Sequence, residues 1–229
     1  MSTQAVHAHA KPFSWSYSKL KNYETCPKRH YHCDVVKDVK EEESENLKWG
    51  NYVHDGFARR LKKKVPLPEG MGQWESWCER IELNADKILV EQKLAIDAHF
   101  APVGWRGDAA WYRGVADVIK FMGDVALVID WKTGKILDDS QQLALMAACV
   151  FAHHPKLIAI RAEFIWLKEG CTSGTTIKRG DLAGMWQAIW PRIETLRVAH
   201  ENNAYPANPG KLCRDWCPVV KCPHHGERY

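Results

Sequence analysis

The chain has 229 residues, 45% of them hydrophobic and 26% charged, with a formal net charge of +4. That composition suits a globular chain with one substantial core and is compatible with a polyanionic partner without demanding one. No run of about 18 or more apolar residues occurs, which argues against a membrane-spanning helix. The opening MSTQAVHAHAKPF lacks the apolar stretch of a secretory leader, so a cytoplasmic location is expected.

Taken in chain order, residues 16–30 read as a short helix opened by Ser16 or Ser18, with Leu20 and Tyr23 on one face. Residues 41–43 are acidic and exposed. A second helix runs from about Leu47 to Lys64 and stops before Pro66. Its end carries the basic run Arg59, Arg60, Lys62, Lys63 and Lys64, which read alone is a solvated helix end. Residues 67–72 form a loop. Trp74, Trp77, Cys78, Ile81, Ala85, Ile88 and Leu89 recur at helical spacing and predict a third helix. Leu94, Ile96 and Ala98 alternate, which predicts a strand over 91–100. The apolar runs 111–121 and 125–131, parted by Gly123 and Asp124, carry a hairpin signature. Residues 140–152 predict a compact apolar helix, 157–167 a strand, 170–174 a turn and 175–178 an edge strand. Leu182, Met185, Trp186, Ile189, Ile193 and Leu196 mark a long last helix, bent near Pro191. An irregular tail rich in proline and cysteine begins at Asn202. The order predicts an α/β domain whose mixed sheet is flanked by helices.

The most informative segment is 114–135, GVADVIKFMGDVALVIDWKTGK. Side chains alternate across a strand, so Asp130 and Lys132 share one side and Trp131 takes the other. Hairpin pairing can bring Asp117 beside them. Two carboxylates and an ammonium would then converge at a sheet edge. Carboxylates are hard ligands suited to Mg²⁺ or Mn²⁺, and a nearby lysine can orient or help deprotonate a water. An ordinary surface hairpin with an Asp–Lys pair is the competing reading.

In order along the chain, GNYVH (50–54), GVADVI (114–119), DWKTGK (130–135) and QLALMAA (142–148) resemble the RecB-like PD-(D/E)xK nucleases, which include nuclease domains of recombination helicases, CRISPR spacer-acquisition nucleases and phage exonucleases. The resemblance spans 16–222. It implies a restriction-endonuclease-like core and metal-dependent hydrolysis of DNA, with exonuclease action on single strands or duplex ends as the first expectation. It implies that His54, Asp117 and Asp130 hold Mg²⁺ or Mn²⁺, joined by the backbone carbonyl of Trp131, and that Lys132 is the catalytic lysine. Gln142 matches a glutamine that holds the lysine or the DNA, with Gln141 the alternative if the register slips by one. Glu91 resembles an acidic residue near the first core strand, a ligand for a second ion or a helix-end glutamate. Met146 departs from a tyrosine common in the family. With so small a charge excess, the DNA groove must be locally basic or use the run 59–64.

The same resemblance assigns the cysteine clasp. Cys26 before Pro27, with Cys213, Cys217 and Cys222 near the other end, matches the iron–sulfur members, in which four thiolates hold a [4Fe–4S] cluster. Zinc is the alternative occupant. Cys33 could replace Cys26, and His224 and His225 are further possible ligands. Cys78, Cys149 and Cys171 sit in or beside apolar runs and read as structural. The expected organisation is one nuclease domain over 1–229: an N-terminal helical part to residue 66, a core to 180, then a helix and cysteine-rich tail that meet the N-terminal segment at the cluster. DNA is the expected partner, with unwinding supplied by a helicase or recombination protein in trans. The alternative is a non-cutting DNA-binding or assembly subunit of a recombination or CRISPR-adaptation complex.

Overall fold

The computed structural model describes residues 12–137 and 139–229. The stretch 1–11, part of the opening segment read for a leader, lies outside the described residues. No described helix is long and apolar enough to cross a membrane.

The first helix, α1 (Tyr17–Thr25), starts at Ser16, whose Oγ accepts the Lys19 N–H at 3.3 Å. It stops at Cys26, held extended at φ −161° ahead of Pro27. The helix expected over 16–30 is therefore broken, and α2 (Pro27–His30) leads into a wide turn over Tyr31–Val35. Next comes α3 (Glu45–Lys63), capped by Ser44 and closed by Lys64 in the left-handed region. After a short turn follows α4 (Glu75–Glu82).

The third expected helix is shorter than its periodicity suggested. Asn84 takes φ +54°, and Ile88 and Leu89 join a strand, β1 (Lys87–Ile96). Ile88, Leu89 and Val90 suit a pleated surface. The buried Lys120 ammonium also closes α4, donating to the carbonyls of Arg80 at 3.3 Å and Leu83 at 2.6 Å. At the other end of β1, Asp97 Oδ1 accepts the N–H groups of His99 and Ala101. Ala98 and Phe100 thus belong to a turn, not to the strand expected there, and the chain returns as β2 (Pro102–Val103).

The hairpin is β3 (Tyr112–Met122) and β4 (Val125–Lys132), turning at Gly123. Helix α5 (Ser140–His153) crosses to β5 (Ala159–Trp166), which lies parallel to β4. β6 (Cys171–Lys178) begins earlier than expected, because the turn lies just before it, ending at Gly170. Helix α6 (Leu182–Glu201) runs through Pro191 as one element, and α7 (Leu212–Asp215) is a single turn in the tail. The sheet order is β2-β1-β3-β4-β5-β6, antiparallel except for β4–β5.

Each sheet face has its own core. One gathers Leu20 of α1, most of α5, and Trp186, Ile189 and Ile193 of α6. The other gathers Val53, Phe57 and Leu61 of α3 with Cys78 and Ile81 of α4. α5 is buried nearly all round, packed on the sheet in the core it shares with α6. At the far edge, Gly174 pairs with Glu163, and an added Cβ would lie 2.2 Å from Ala162 O and 2.8 Å from Glu163 Cα. Backbone cannot retract as a flexible side chain can. Gly174→Ala is expected to cost about 1–3 kcal/mol, read as a lower denaturation midpoint. An unchanged midpoint would mean that β6 can lift off β5 without loss.

Candidate active site

The site forms where β3 and β4 part. Their pairing runs from Met122–Val125 to Val118–Ile129 and ends there. Beyond the last pair, the Trp131 N–H donates to Asp117 Oδ2 at 2.8 Å. Asp117 is 7% exposed and is oriented by that bond. Its Oδ1 lies 3.3 Å from His54 Nδ1, and His54 Nε2 lies 3.0 Å from the Trp131 carbonyl oxygen.

Helix α3 is held over this fork by an aromatic stack. Phe57, one turn beyond His54, lies on Trp131 with ring centroids 4.0 Å apart and 10° between planes. The same β4 residue thus anchors α3 through its ring and meets His54 through its carbonyl.

Glu91 approaches from β1. The ladder with β3 is in register on both sides, Val90–Val118 and Gln92–Ala116, but skips Glu91 opposite Asp117. Glu91 has φ +54°, a conformation that costs a non-glycine residue on the order of 1–3 kcal/mol. Both strands change face here. Val90 and Val118 pack on the α3–α4 side, whereas Leu94 and Ala116 pack on the α5–α6 side. One ligand atom each from His54, Glu91 and Asp117 lie within 4.8 Å of one another.

Asp130 and Lys132 face α5. Lys132 Nζ is 2.7 Å from Asp130 Oδ2 and donates to Gln142 Oε1 at 3.2 Å, while Gln142 Nε2 donates to Asp130 Oδ1 at 2.8 Å. The ammonium also sits 4.8 Å from the centre of the Phe164 ring, supplied by β5. Gln141, the alternative in the register, instead bonds Arg192 of α6.

The electrostatics point one way. Burial and the Asp117 charge raise the Asp130 pKa to about 6 despite Lys132. Burial and Asp117 likewise raise Glu91. Burial lowers His54, but Asp117, Asp130 and Glu91 outweigh it, and the net shift is upward. Both His54 ring nitrogens face acceptors, an arrangement that imidazolium satisfies and neutral imidazole does not. Asp130 Oδ2 is buried without an aligned hydrogen bond, its ion pair with Lys132 notwithstanding. Each group holds protons against crowded negative charge, and the donors are hard oxygens and an imidazole. Such a set fits a divalent cation of the Mg²⁺ or Mn²⁺ type.

The basic run at the end of α3 is mostly engaged within the protein. Arg60 pairs with Glu75 and Glu82, Lys64 with Glu82 and Arg59 with Asp55. Lys62 alone of the run lines the cavity of about 510 Å³ shared by His54, Asp55 and Glu91. Composition reveals such a run but not the acids that answer it from α4.

The segment around Cys26 meets the C-terminal tail at the cysteines. Lys28 N–H donates to Pro206 O at 3.1 Å, Asn208 N–H to Cys26 Sγ at 3.4 Å, and Gly210 N–H to Cys213 Sγ at 3.4 Å. Cys217 accepts a backbone bond from Val219, and its thiol pKa is raised by burial, with Cys213 and Cys26 adding to the shift. Cys222 N–H bonds Val219 O, and Gly226 N–H bonds Cys213 O, which folds the tail onto itself. Cys33 lies near Arg29, and Cys217 adds to the upward shift of its thiol. Among the described residues, no group of three cysteines or histidines brings its ligand atoms within 4.8 Å of one another.

The fold recurs in a known structure. A candidate exonuclease from Eubacterium rectale superposes with a TM-score of 0.55 at 14% identity, over 97% of this chain and 96% of that one. The structure of SSO0001 gives a TM-score of 0.46 at 14% identity, over 97% and 90%. No curated protein matches the sequence. The family model of the PD-(D/E)XK nuclease superfamily matches residues 14–222, from just before α1 to the last cysteine of the tail. That match takes in both sheet faces and every residue of the fork, and the chain belongs to the PD-(D/E)XK nuclease superfamily.

Proposed function

We propose that the protein is a metal-dependent deoxyribonuclease, an exonuclease that hydrolyses phosphodiester bonds of single strands or duplex ends in recombination, repair or phage DNA processing. The observation that carries this reading is the gathering of His54, Glu91 and Asp117 against the Asp130–Lys132–Gln142 triangle. His54, Asp117, Glu91, Asp130 and the Trp131 carbonyl would hold Mg²⁺ or Mn²⁺. Such an ion, when bound, neutralises charge building on the phosphate and acidifies water. Lys132 Nζ, fixed by Asp130 and Gln142, orients the attacking water from the α5 side. Gln142 holds the amine in place. Phe164 and the Phe57–Trp131 stack form apolar walls beside these groups.

The test is digestion of end-labelled single-stranded and duplex DNA with Mg²⁺ or Mn²⁺, with and without EDTA. Cleavage that proceeds from ends and stops with chelation is the expected result. Undiminished cleavage in EDTA, or none with either ion, would refute the proposal.

On the same reading, Cys26, Cys213, Cys217 and Cys222 hold a [4Fe–4S] cluster. Backbone N–H groups aimed at sulfur, as at Cys26 and Cys213, suit metal-bound thiolates. The purified protein is expected to be brown and to contain iron and sulfide, whereas stoichiometric zinc with no iron would overturn the cluster.

A further inference from the structure

Beyond the Lys132–Gln142 edge of the site, a groove of about 690 Å³ runs between α1 and β3. Lys19 and Lys21 of α1, Arg113 of β3 and the indole of Trp105 line it, with Met146 near the catalytic end. Its charge is lopsided. Among the described residues lining it outside the catalytic triangle, Asp139 is the one acid, and it accepts the Tyr17 hydroxyl. Arg113 spends its donors on neutral oxygens: the Trp105 carbonyl at 2.8 Å, the Gly107 carbonyl at 3.1 Å and Ser14 Oγ. Its charge is therefore bonded but not neutralised.

A second cavity, of about 370 Å³, meets the first at Ser14, Lys19 and Arg113 and continues to Lys37. Cations crowd that junction. The Lys19 ammonium is pushed below its ordinary pKa by burial and by the charges of Lys37 and Arg113, against the pull of Asp34. Asp34 itself is bonded by His30 and Asn22. Asp108 also lines this second cavity, so Lys19, Lys37 and Arg113 face two acids there, and the cations are in excess.

We propose that this groove is a track for the phosphate backbone of a single DNA strand, with Lys19, Lys21 and Arg113 binding phosphates next to the one being cut and Trp105 offering a face to a base. The proposal rests on the nuclease reading above and adds the strand's path and form. A space of this size takes about one or two nucleotides of one strand, not a double helix. Phosphates would balance the excess of cations over acids along the groove, and an indole accepts any base by stacking. Lys19 and Lys21 act on binding, not on the reacting atoms.

The experiment is fluorescence anisotropy of a labelled single-stranded oligonucleotide, titrated in EDTA at several salt concentrations with the parent and with Lys19→Gln/Lys21→Gln. The logarithm of the parent's affinity is expected to fall steeply with log salt. The slope for the double variant is expected to be shallower by about 0.7 for each phosphate that is no longer neutralised, with affinity at low salt down roughly tenfold. Lys21→Glu alone, at an exposed position that cannot disturb the core, is expected to weaken binding in the same sense. A parent that cuts DNA while both variants keep its slope and affinity overturns the track and leaves the nuclease reading standing. A parent that neither binds nor cuts DNA overturns both. Equal or tighter binding of duplex, with the same sensitivity to Lys19 and Lys21, overturns the single-strand assignment.

Discussion

Lys132→Ala is expected to slow DNA hydrolysis by about 10²–10⁴-fold, the contribution of a positioned proton-transfer group. The variant is expected still to gain thermal stability from Mn²⁺. The two readouts separate because the ammonium is placed by groups on the α5 face: Asp130 at 2.7 Å, Gln142 at 3.2 Å and the Phe164 ring. His54, Glu91 and Asp117 meet at the neighbouring fork and do not depend on it. Removing the ammonium leaves Asp130 buried with less compensating charge, so its hunger for a cation grows and Mn²⁺ should stabilise the variant at least as well as the parent. Lys132→Arg is not expected to restore the rate, since a planar guanidinium fork cannot reproduce a compact point charge between a carboxylate and an amide. Hydrolysis by Lys132→Ala within about threefold of the parent would remove Lys132 from the chemistry. Loss of the Mn²⁺ response together with the rate would recast it as part of the ion site.

Much of this site could be read from local sequence, for an identifiable reason. Alternation along a strand puts Asp130 and Lys132 on one side and Trp131 on the other whatever surrounds them, and the structure has them so. The hairpin at Gly123 likewise needed only its turn residues and flanking apolar runs. What the sequence hid is long-range or strained. Ile88, Val90, Leu94 and Ile96 share one parity, interrupted only by Gln92, yet the first pair and the last pair pack on opposite faces of the sheet. The switch is made by the left-handed Glu91, and no periodicity announces it. The same blindness made a helix of Ile88 and Leu89, whose spacing continues that of Trp77 and Ile81. Its true end depends on Lys120, a strand residue distant in sequence, reaching the α4 carbonyls. The basic run of α3, a solvated helix end when read alone and one option for the DNA groove, gave no sign of its partners Glu75 and Glu82, which come from another helix. The cations in the groove proposed for the strand, Lys19, Lys21 and Arg113, are scattered in sequence and form no run.

Asp117→Asn is expected to abolish detectable hydrolysis, to eliminate the stabilisation by Mn²⁺, and yet to raise the melting temperature in EDTA at pH 7.5. The first two effects follow from loss of a charged ligand at the centre of the fork. The third follows from linkage. Asp117 raises the pKa values of Asp130, Glu91 and His54 in the folded, ion-free protein. A carboxyl whose folded pKa lies above its unfolded value binds more protons when folded, so stability falls as pH rises from about 4, the ordinary carboxylate value, through the Asp130 value of about 6. The stabilisation from protonated His54 is complete below its ordinary pKa near 6.5 and is lost as pH passes through its raised folded value. The parent in EDTA should therefore melt lower at pH 7.5 than at pH 5, and its gain from Mn²⁺ should grow over the same interval, because ion binding displaces the protons these groups hold. Asparagine keeps an oxygen for the Trp131 N–H and can donate to a neutral His54, so the bonds of the fork survive while the repulsion goes. If Asp117 served only to brace β4, asparagine would keep that brace, leaving the melting temperature in EDTA near the parent's at both pH values and the Mn²⁺ response in place.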